Sequence, residues 1–523
     1  MARHAVVIGA GIAGLATSAL LARSGMQVTV IDKLEELGGR AGSFAHEGFR
    51  WDTGPSWYLM PEAFDHFFEL CGTSTAAELD LVELAPAYTV CNEQGRVAQV
   101  TSGLGHVEKL FESLEPGAGE KVRAYLEQAE KLYQLALRHF LYTNFARTAN
   151  FLNPAILRNV GLLGRLLLNS LERHVAAQFA HPVLRQVLSY PAVFLSTSPG
   201  RAPALYSLMS HTDLVQGVRY PMGGFRAVVE AIARQARNAG VEFLLGQEVC
   251  AITVEDGRAI GVETAQKQLR ADVVVSCADV EHTKTLLPGT AADSGVVRAA
   301  DKHSKGSKVP KESKEPGISA VLLLLGVRGS LPQLTHHTLL FSEDWGPDFQ
   351  AVFGDGKQKA SRSLYISKTS ATDPNVAPKG HENLFVLVPT RADETLGHGN
   401  AYGTQSPEVA AIADQAIEQI GAWLGIKDFR ERITCSFSIG PADFAQRYHS
   451  YRAGAIGPAH TLRQSAMLRG RNDSKVAGLY FAGGTTVPGV GVPMCLISAE
   501  NVVKRLAGDR SDAPLRELPG LEG

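Results

Sequence analysis

The sequence has few of the residues that build disulfide or metal sites. Its 523 residues include six cysteines and no C-x-x-C pair: Cys71, Cys91, Cys250, Cys277, Cys435 and Cys495. This scatter favours buried thiols in a reducing compartment over a disulfide framework or a zinc site. No Ser/His/Asp set, carboxylate pair or metal-ligand spacing is recognisable either, so the sequence predicts no metal and assigns no catalytic residue.

Charge of one sign and long apolar runs are also lacking. The net charge is −2, so no nucleic-acid partner is indicated. The uncharged start, residues 5–22, is interrupted by glycines and leads into a strand, so we predict neither a signal peptide nor a transmembrane helix. The length and a hydrophobic fraction of 45% predict a globular protein of about two to four domains.

Residues 5–32 have the pattern of a strand, a glycine turn, a helix and a second strand. Gly9 allows a tight turn, Gly11 leaves room for a pyrophosphate, and Gly14 lets the helix pack close to the strand. Asp32 ends the second strand, where a carboxylate accepts hydrogen bonds from ribose hydroxyls and repels the extra phosphate of NADP. This stretch predicts a dinucleotide-binding unit.

Two further segments bear on the choice between NAD and FAD. Gly38 and Gly39 bring the backbone near a diphosphate that Arg40 can neutralise, and residues 52–56 (DTGPS) form another turn. Near the other end, residues 478–505 read as a strand, a glycine turn, a rigid loop and a helix. The N-terminus of that helix suits the pyrimidine side of a flavin, which gains negative charge on reduction. The alternative is a purely structural turn.

Residues 156–171 have leucines along one arc of a helix and arginines opposite. Such a helix lies in a membrane interface or packs in a core with its arginines solvated, and periodicity alone leaves both open. Further on, lysines recur every third residue from Lys302 to Lys314, which predicts a solvated loop.

Five segments occur in one order over nearly the full length: GGRAGSF, DTGPSWYLMP, YPMGG, ATDPNVAPKGHENLFVLVP and LYFAGGTTVPGVGVPMCLISAEN. In this order they resemble the carotenoid desaturases of the flavin amine oxidase superfamily, and among them the bacterial phytoene desaturases. The WYLMP extension is similar to that of actinobacterial members. One departure is Val487, where relatives often have a histidine in T-H-P-G.

The resemblance implies an α/β fold with a discontinuous Rossmann-like FAD-binding domain, a mixed-sheet substrate domain and a helical, membrane-facing subdomain. Together with the order of elements, it predicts FAD-binding segments at 1–70, 215–290 and 470–507. Residues 71–214 would be the helical region, although residues 81–100 within it are predicted to form strands around a turn at 92–95. Residues 291–469 would be the substrate domain and 508–523 a flexible tail. In such a fold Val249 meets the adenine through its backbone and Ala278 lies near the cofactor. The predicted cofactor-binding residues are Gly9, Gly11, Ile12, Ala13, Gly14, Asp32, Lys33, Gly39, Arg40, Gly54, Pro55, Ser56, Val249, Ala278, Gly483, Gly484, Gly491, Val492, Pro493 and Met494.

The function implied is FAD-dependent dehydrogenation of phytoene to lycopene, with oxygen or a quinone as electron acceptor. The enzyme would attach peripherally to the cytoplasmic side of the inner membrane, where its long apolar polyene substrate is dissolved. Alternatives are another flavin oxidoreductase of this fold, namely an amine oxidase or a desaturase for C30 diapophytoene or hydroxylated carotenoids. A further alternative is a non-catalytic prenyl-binding module, as in Rab escort proteins.

Overall fold

The computed structural model describes residues 2–147, 153–289, 314–354, 356, 358–465 and 468–522. The predicted lysine-rich loop lies outside these residues except for Lys314. Within them the strands are β1 (His4–Ile8), β2 (Gln27–Ile31), β3 (Ser43–His46), β4 (Phe49–Asp52), β5 (Leu81–Glu83), β6 (Tyr88–Asn92), β7 (Gly95–Val100), β8 (Arg219–Pro221), β9 (Glu242–Leu244), β10 (Val249–Glu255), β11 (Arg258–Thr264), β12 (Gln268–Arg270), β13 (Val273–Ser276), β14 (Ile318–Arg328), β15 (His337–Leu340), β16 (Leu364–Ser367), β17 (His381–Arg391), β18 (Ile433–Ile439) and β19 (Leu479–Phe481).

The α-helices of the described residues are α1 (Ile12–Arg23), α2 (Pro61–Leu70), α3 (Thr75–Glu78), α4 (Leu104–Leu114), α5 (Ala118–Ala136), α6 (Pro154–Arg158), α7 (Val160–Leu168), α8 (Leu171–Ala176), α9 (Pro182–Ser189), α10 (Pro191–Phe194), α11 (Met209–His211), α12 (Phe225–Asn238), α13 (Val280–Thr285), α14 (Gly346–Phe353), α15 (Pro407–Trp423), α16 (Phe429–Arg432), α17 (Pro441–Tyr448) and α18 (Val492–Leu506).

A five-stranded parallel sheet in the order β19-β13-β1-β2-β9 carries the opening and closing motifs. β1 and β13 are almost wholly buried apolar runs, as expected for parallel strands covered on both faces. On one face, α1 packs against both α12 and α18 in a single apolar core. The strands come from three distant parts of the chain, which confirms a discontinuous α/β fold.

A second, mixed sheet has seven strands in the order β18-β14-β17-β16-β15-β6-β7. Its strands pair antiparallel except β15 and β6, which are parallel. β6 and β7 belong to residues 71–214, which we predicted to be a helical region. The residues of β6 are almost all buried, as expected for a strand inside a sheet. The side chain of Asn92 accepts a hydrogen bond from the Gln94 N–H at 2.9 Å, and the turn formed there folds β7 back beside β6.

The predicted single helix over residues 156–171 is wrong. It is divided into α6 and α7 at Asn159, and α8 begins after Ser170. The Asn159 side chain donates to the Ala155 carbonyl at 2.8 Å, and the Ser170 hydroxyl accepts from the Arg173 N–H. Such local side-chain bonds compete with a continuous helix.

The tail, which we predicted to be flexible, makes several contacts with the rest of the chain. Lys504 donates to the carbonyls of Ser511 and Ala513 at 2.9 and 2.7 Å, and Leu521 is buried with its N–H on the Ser24 carbonyl. The apolar Leu521 therefore holds the end of the chain against the first helix.

The six cysteines differ in how far they are buried. Cys71 and Cys91 are buried as predicted, but Cys250 is exposed and the other three cysteines are partly exposed. None of the helices in the described ranges combines the length and apolar character that crossing a bilayer requires.

Candidate functional site

The opening glycine turn is built so closely that it excludes side chains. A Cβ at Gly14 would lie 1.8 Å from the carbonyl oxygen of Gly9, which is itself in a left-handed conformation at φ +101°. The Gly9 N–H donates to the Ile31 carbonyl at 2.7 Å, so the turn is tied to the end of β2. Ile12 and Ala13 are buried beneath the turn, whereas the backbone of Gly11 is partly exposed at the start of α1.

The carboxylate of Asp32 holds this turn from the neighbouring strand. One oxygen accepts from the Ala10 N–H at 2.6 Å and the other from the Leu34 N–H at 2.8 Å. Burial raises the pKa of Asp32, while the two N–H groups act to lower it. Each oxygen keeps a lone pair, so the group can still accept hydrogen bonds from a ribose.

The Gly38-Gly39-Arg40 segment lies directly beside the opening turn. The Gly38 N–H donates to the Ala10 carbonyl at 2.9 Å, and a Cβ at Gly39 would lie 3.2 Å from the Cα of Gly11. We call the surface formed by the backbone of Gly11, Gly38 and Gly39 the cradle. The guanidinium of Arg40, the next residue, donates to the Ile456 carbonyl and the Ser450 hydroxyl at 3.0 and 2.9 Å. A glycine-lined cradle beside a cation fits a diphosphate.

Asp52 connects two of the motifs singled out in the sequence. Its carboxylate accepts from the Phe225 N–H at 2.8 Å and from the Arg226 N–H at 3.4 Å, so it caps α12 just after the YPMGG turn. Burial raises the pKa of Asp52 to about 6, while the two N–H groups act to lower it. Gly54 follows at a point where a Cβ would lie 1.9 Å from the Arg40 carbonyl.

The turn after Gly54 leads into a polar chain and an aromatic group. Pro55 and Ser56 are partly exposed, and the Ser56 hydroxyl lies 2.7 Å from the Tyr365 hydroxyl, which lies 2.7 Å from Nδ1 of His337. The ring of Trp57 stacks on that of His337, with centroids 4.6 Å apart. The His337 side chain is fully buried, and this burial holds its pKa well below the usual value.

Lys33 lies beside the residue that precedes Val249, because its Nζ is 3.8 Å from the carboxylate of Glu248. Lys33 donates to the Gln446 carbonyl at 2.7 Å and Val249 is buried at the start of β10. A cavity of about 510 Å³ opens beside them, lined in part by His282, His398, Gln446 and His449. Ala278 lies beside the opening turn, since a Cβ at Gly9 would be 3.6 Å from its nitrogen.

The closing glycine loop reaches the first helix. A Cβ at Gly483 would lie 3.3 Å from the Cβ of Ala13, and the Gly483 N–H donates to the Ser498 hydroxyl at 3.0 Å. Gly484 is partly exposed beside it, and Gly491 is exposed at the N-terminus of α18. Val492 is buried, whereas Pro493 and Met494 are partly exposed in the first turn of this helix.

Several side chains that hold the closing loop have no signal in the sequence. Asn472 donates to the Phe481 carbonyl at 3.0 Å, and Ser498 donates to the Val487 carbonyl at 2.9 Å. His460 lies against the loop as well, because a Cβ at Gly489 would be 2.5 Å from its Nε2. A histidine therefore reaches this loop from another segment of the chain.

Comparison with known proteins identifies the family. The model of flavin containing amine oxidoreductases matches residues 12–507. The chain belongs to this family. It is 37% identical over 506 residues to a carotenoid 3,4-desaturase of Haloarcula japonica, covering 96% of this chain and 98% of that protein. It is 31% identical to a phytoene dehydrogenase of Streptomyces griseus, covering 99% and 97%.

These relatives show that the chain is a flavin oxidoreductase of the carotenoid desaturase family, with FAD as its cofactor. The fold is also that of cyclohexylamine oxidase from Brevibacterium oxydans, with a TM-score of 0.57, 14% identity and coverage of 97% of this chain and 100% of the other. The residues of the desaturase fit the cofactor, because partly exposed glycine backbone, Asp32, Arg40 and the N-terminus of α18 surround one cradle. In the described residues no group of three or more His, Cys, Asp or Glu side chains is placed to hold a metal ion.

Proposed function

We propose that this carotenoid desaturase converts phytoene to lycopene. The observation that carries the proposal is the meeting of the opening turn, Arg40 and the closing loop at one cradle. It is made in a chain that covers 90% and 94% of two phytoene desaturases to which it is similar. Bound FAD supplies a hydride acceptor at its N5 atom. The twenty residues of the predicted set hold the cofactor in this proposal.

The chain's own contribution is then to orient an apolar substrate and to exclude water. Next to Ser56, the ring of Trp57 contacts those of Tyr88 and Phe194 at centroid distances of 5.3 and 5.6 Å. We assign this aromatic group to the substrate side of the cradle, because a hydrocarbon offers no polar handle and must be held by packing. Loss of one hydrogen as hydride and loss of a proton from the neighbouring carbon to a base together complete the new double bond.

The proposal includes docking to the membrane in which phytoene is dissolved. Of the large apolar side chains that the described residues expose, Leu157 lies on α6 and Val160 and Leu168 lie on α7, where Leu168 is 83% exposed. Arg158 and Arg165 are exposed between them. This combination suits an anionic lipid surface, which favours peripheral attachment at the inner membrane. Oxygen or a membrane quinone would then reoxidise the flavin.

A pigment assay tests the substrate. We expect expression in a bacterium that accumulates phytoene to give red lycopene, and Asp32→Ala to leave the phytoene unchanged. If the wild-type protein carries FAD and only phytoene is recovered, the assignment of phytoene as substrate is wrong.

The name of the Haloarcula japonica relative favours a second candidate, desaturation at the 3,4 bond of a carotenoid that is already conjugated. A second host that accumulates lycopene distinguishes the two. The first candidate predicts new pigment only from phytoene, whereas the second predicts a pigment with a longer chromophore only from the conjugated carotenoid. Activity on a C30 substrate is tested in the same way in a host that makes diapophytoene, the substrate class in the name of the Staphylococcus aureus relative.

A further inference from the structure

Arg469 is a buried cation directly behind the closing glycine loop. It is 5% exposed, and its guanidinium donates to the Gly484 carbonyl at 2.6 Å and to the Thr486 carbonyl at 3.1 Å. Two more backbone carbonyls, of Pro458 and Gln464, accept from the same group at 3.4 and 3.3 Å. The side chain therefore fixes the loop and leaves its charge beneath it.

No carboxylate in the described part of the chain pairs with this guanidinium, although most buried cations are paired. Burial lowers the pKa of Arg469 to about 10, so the group remains charged at neutral pH. Its remaining partner is His460, whose Nε2 lies 3.2 Å from Nη1 and whose Nδ1 lies 3.2 Å from the Leu195 carbonyl. Burial, and then the charge of Arg469, keep the pKa of His460 far below neutrality, so the ring is uncharged and does not balance the cation.

We propose that Arg469 raises the reduction potential of the bound flavin by holding an unbalanced positive charge behind the residues Gly483 and Gly484. The inference rests on the proposed function, in which these two glycines lie against the flavin. A charge in a buried site is screened less than one in water, so it acts over several ångströms. Two-electron reduction adds negative charge to the flavin ring, and a nearby fixed cation favours the reduced form, as does the positive end of α18.

Three variants of the FAD-loaded protein test this. Arg469→Gln removes the charge and retains hydrogen-bond donors, and Arg469→Lys retains the charge. Arg471→Gln is the control, since it makes the same change in net charge two residues away on an exposed side chain that is paired with Asp473. The midpoint potential of each is measured by anaerobic redox titration of the flavin absorbance, without substrate.

We expect Arg469→Gln to lower the equilibrium preference for reduced flavin at least tenfold, which is about 30 mV for a two-electron couple. Arg469→Lys should retain most of the wild-type potential, and Arg471→Gln should equal the wild type. Equal potentials for wild type and Arg469→Gln would overturn the inference, as would loss of FAD from both Arg469 variants, because the residue would then be structural. If the wild-type protein itself binds no FAD, the proposed function fails instead.

Discussion

Gly483 lies against Ala13, so the last glycine loop of the chain is in contact with its first helix. A Cβ on Gly483 would be 3.3 Å from that of Ala13. The two segments meet because β19 pairs with β13, and β13 with β1, in one parallel sheet. The carboxyl ends of these strands lie at one edge, which is where ligands bind in open α/β sheets.

Enlarging Gly14 should empty the cradle. In Gly14→Ala the new methyl group would lie 1.8 Å from the Gly9 carbonyl, so the helix has to move away from the turn. We expect a loss of about 1–3 kcal/mol in the free energy of unfolding and a marked loss of bound FAD. The measurements are thermal unfolding and the flavin absorbance of the purified protein. Gly105→Ala in α4, where a Cβ meets open space, is the control: it should leave the bound FAD unchanged and should not destabilise the protein.

Removing the charge of Asp32 should weaken FAD binding without unfolding the protein. Asp32→Asn loses a charged acceptor for ribose hydroxyls, which is worth about 1.5–3 kcal/mol, or about tenfold to a hundredfold in Kd. Titration of apoprotein with FAD by fluorescence quenching measures this. Asp272→Asn is the matched control, because Asp272 accepts from the His4 N–H at the opposite end of β1. An equal increase in the Kd for FAD in both variants would show that Asp32 affects binding only by holding the strands in place.

Stability should depend on pH through Asp213. Burial raises its pKa to about 7, and the hydroxyls of Tyr88 and Tyr190 donate to one of its oxygens at 3.1 and 2.7 Å. The folded state thus binds a proton that the unfolded state loses near pH 4. This contribution is present below about pH 4 and is lost as the pH rises through about 7, a change of about 4 kcal/mol at most.

Asp213→Asn should remove this dependence while still accepting from the two hydroxyls. We expect urea unfolding between pH 5 and 8 to show a declining stability for the wild type relative to the variant. Parallel pH profiles for the two proteins would mean that folding does not raise the pKa of Asp213.

The exposed surface of α6 and α7, with Leu157, Val160 and Leu168, should bind anionic membranes. Replacing Arg158, Arg165 and Arg173 by glutamine removes about 1 kcal/mol each near an anionic surface, so binding to anionic liposomes should fall about a hundredfold. A control with glutamine at Arg237, Arg258 and Arg430, which are also exposed, should bind normally. Unchanged liposome binding by the first triple variant would mean that α6 and α7 are ordinary solvent-exposed helices and do not bind the membrane.

What the sequence could reveal depended on how local the interactions are. Gly9, Gly14 and Asp32 belong to one strand-turn-helix-strand unit, so their spacing alone predicted their arrangement. Arg469 and Ser498 contact the closing loop only once the chain has folded. A single arginine or serine in a sequence does not indicate which residue elsewhere in the chain it will contact. The partner of Asp52, the start of α12, was unpredictable for the same reason.

The errors have local and non-local causes. Periodicity predicted one helix over 156–171 because it counts apolar residues and ignores the side-chain bond of Asn159 that ends α6. The polar composition of the tail gave no sign of its contacts with the buried Lys504 or of the burial of Leu521. β6 and β7 were recognised as strands, but nothing local indicates that β6 pairs with β15.

The most direct test of the account is a single-turnover reaction without oxygen. FAD-loaded protein is mixed with liposomes that contain phytoene, and the flavin absorbance and the carotenoids are followed together. We predict that the yellow colour of oxidised flavin disappears as an equal amount of substrate gains one double bond. Flavin that stays oxidised while the phytoene remains unchanged would contradict the claim that this cradle carries out desaturation.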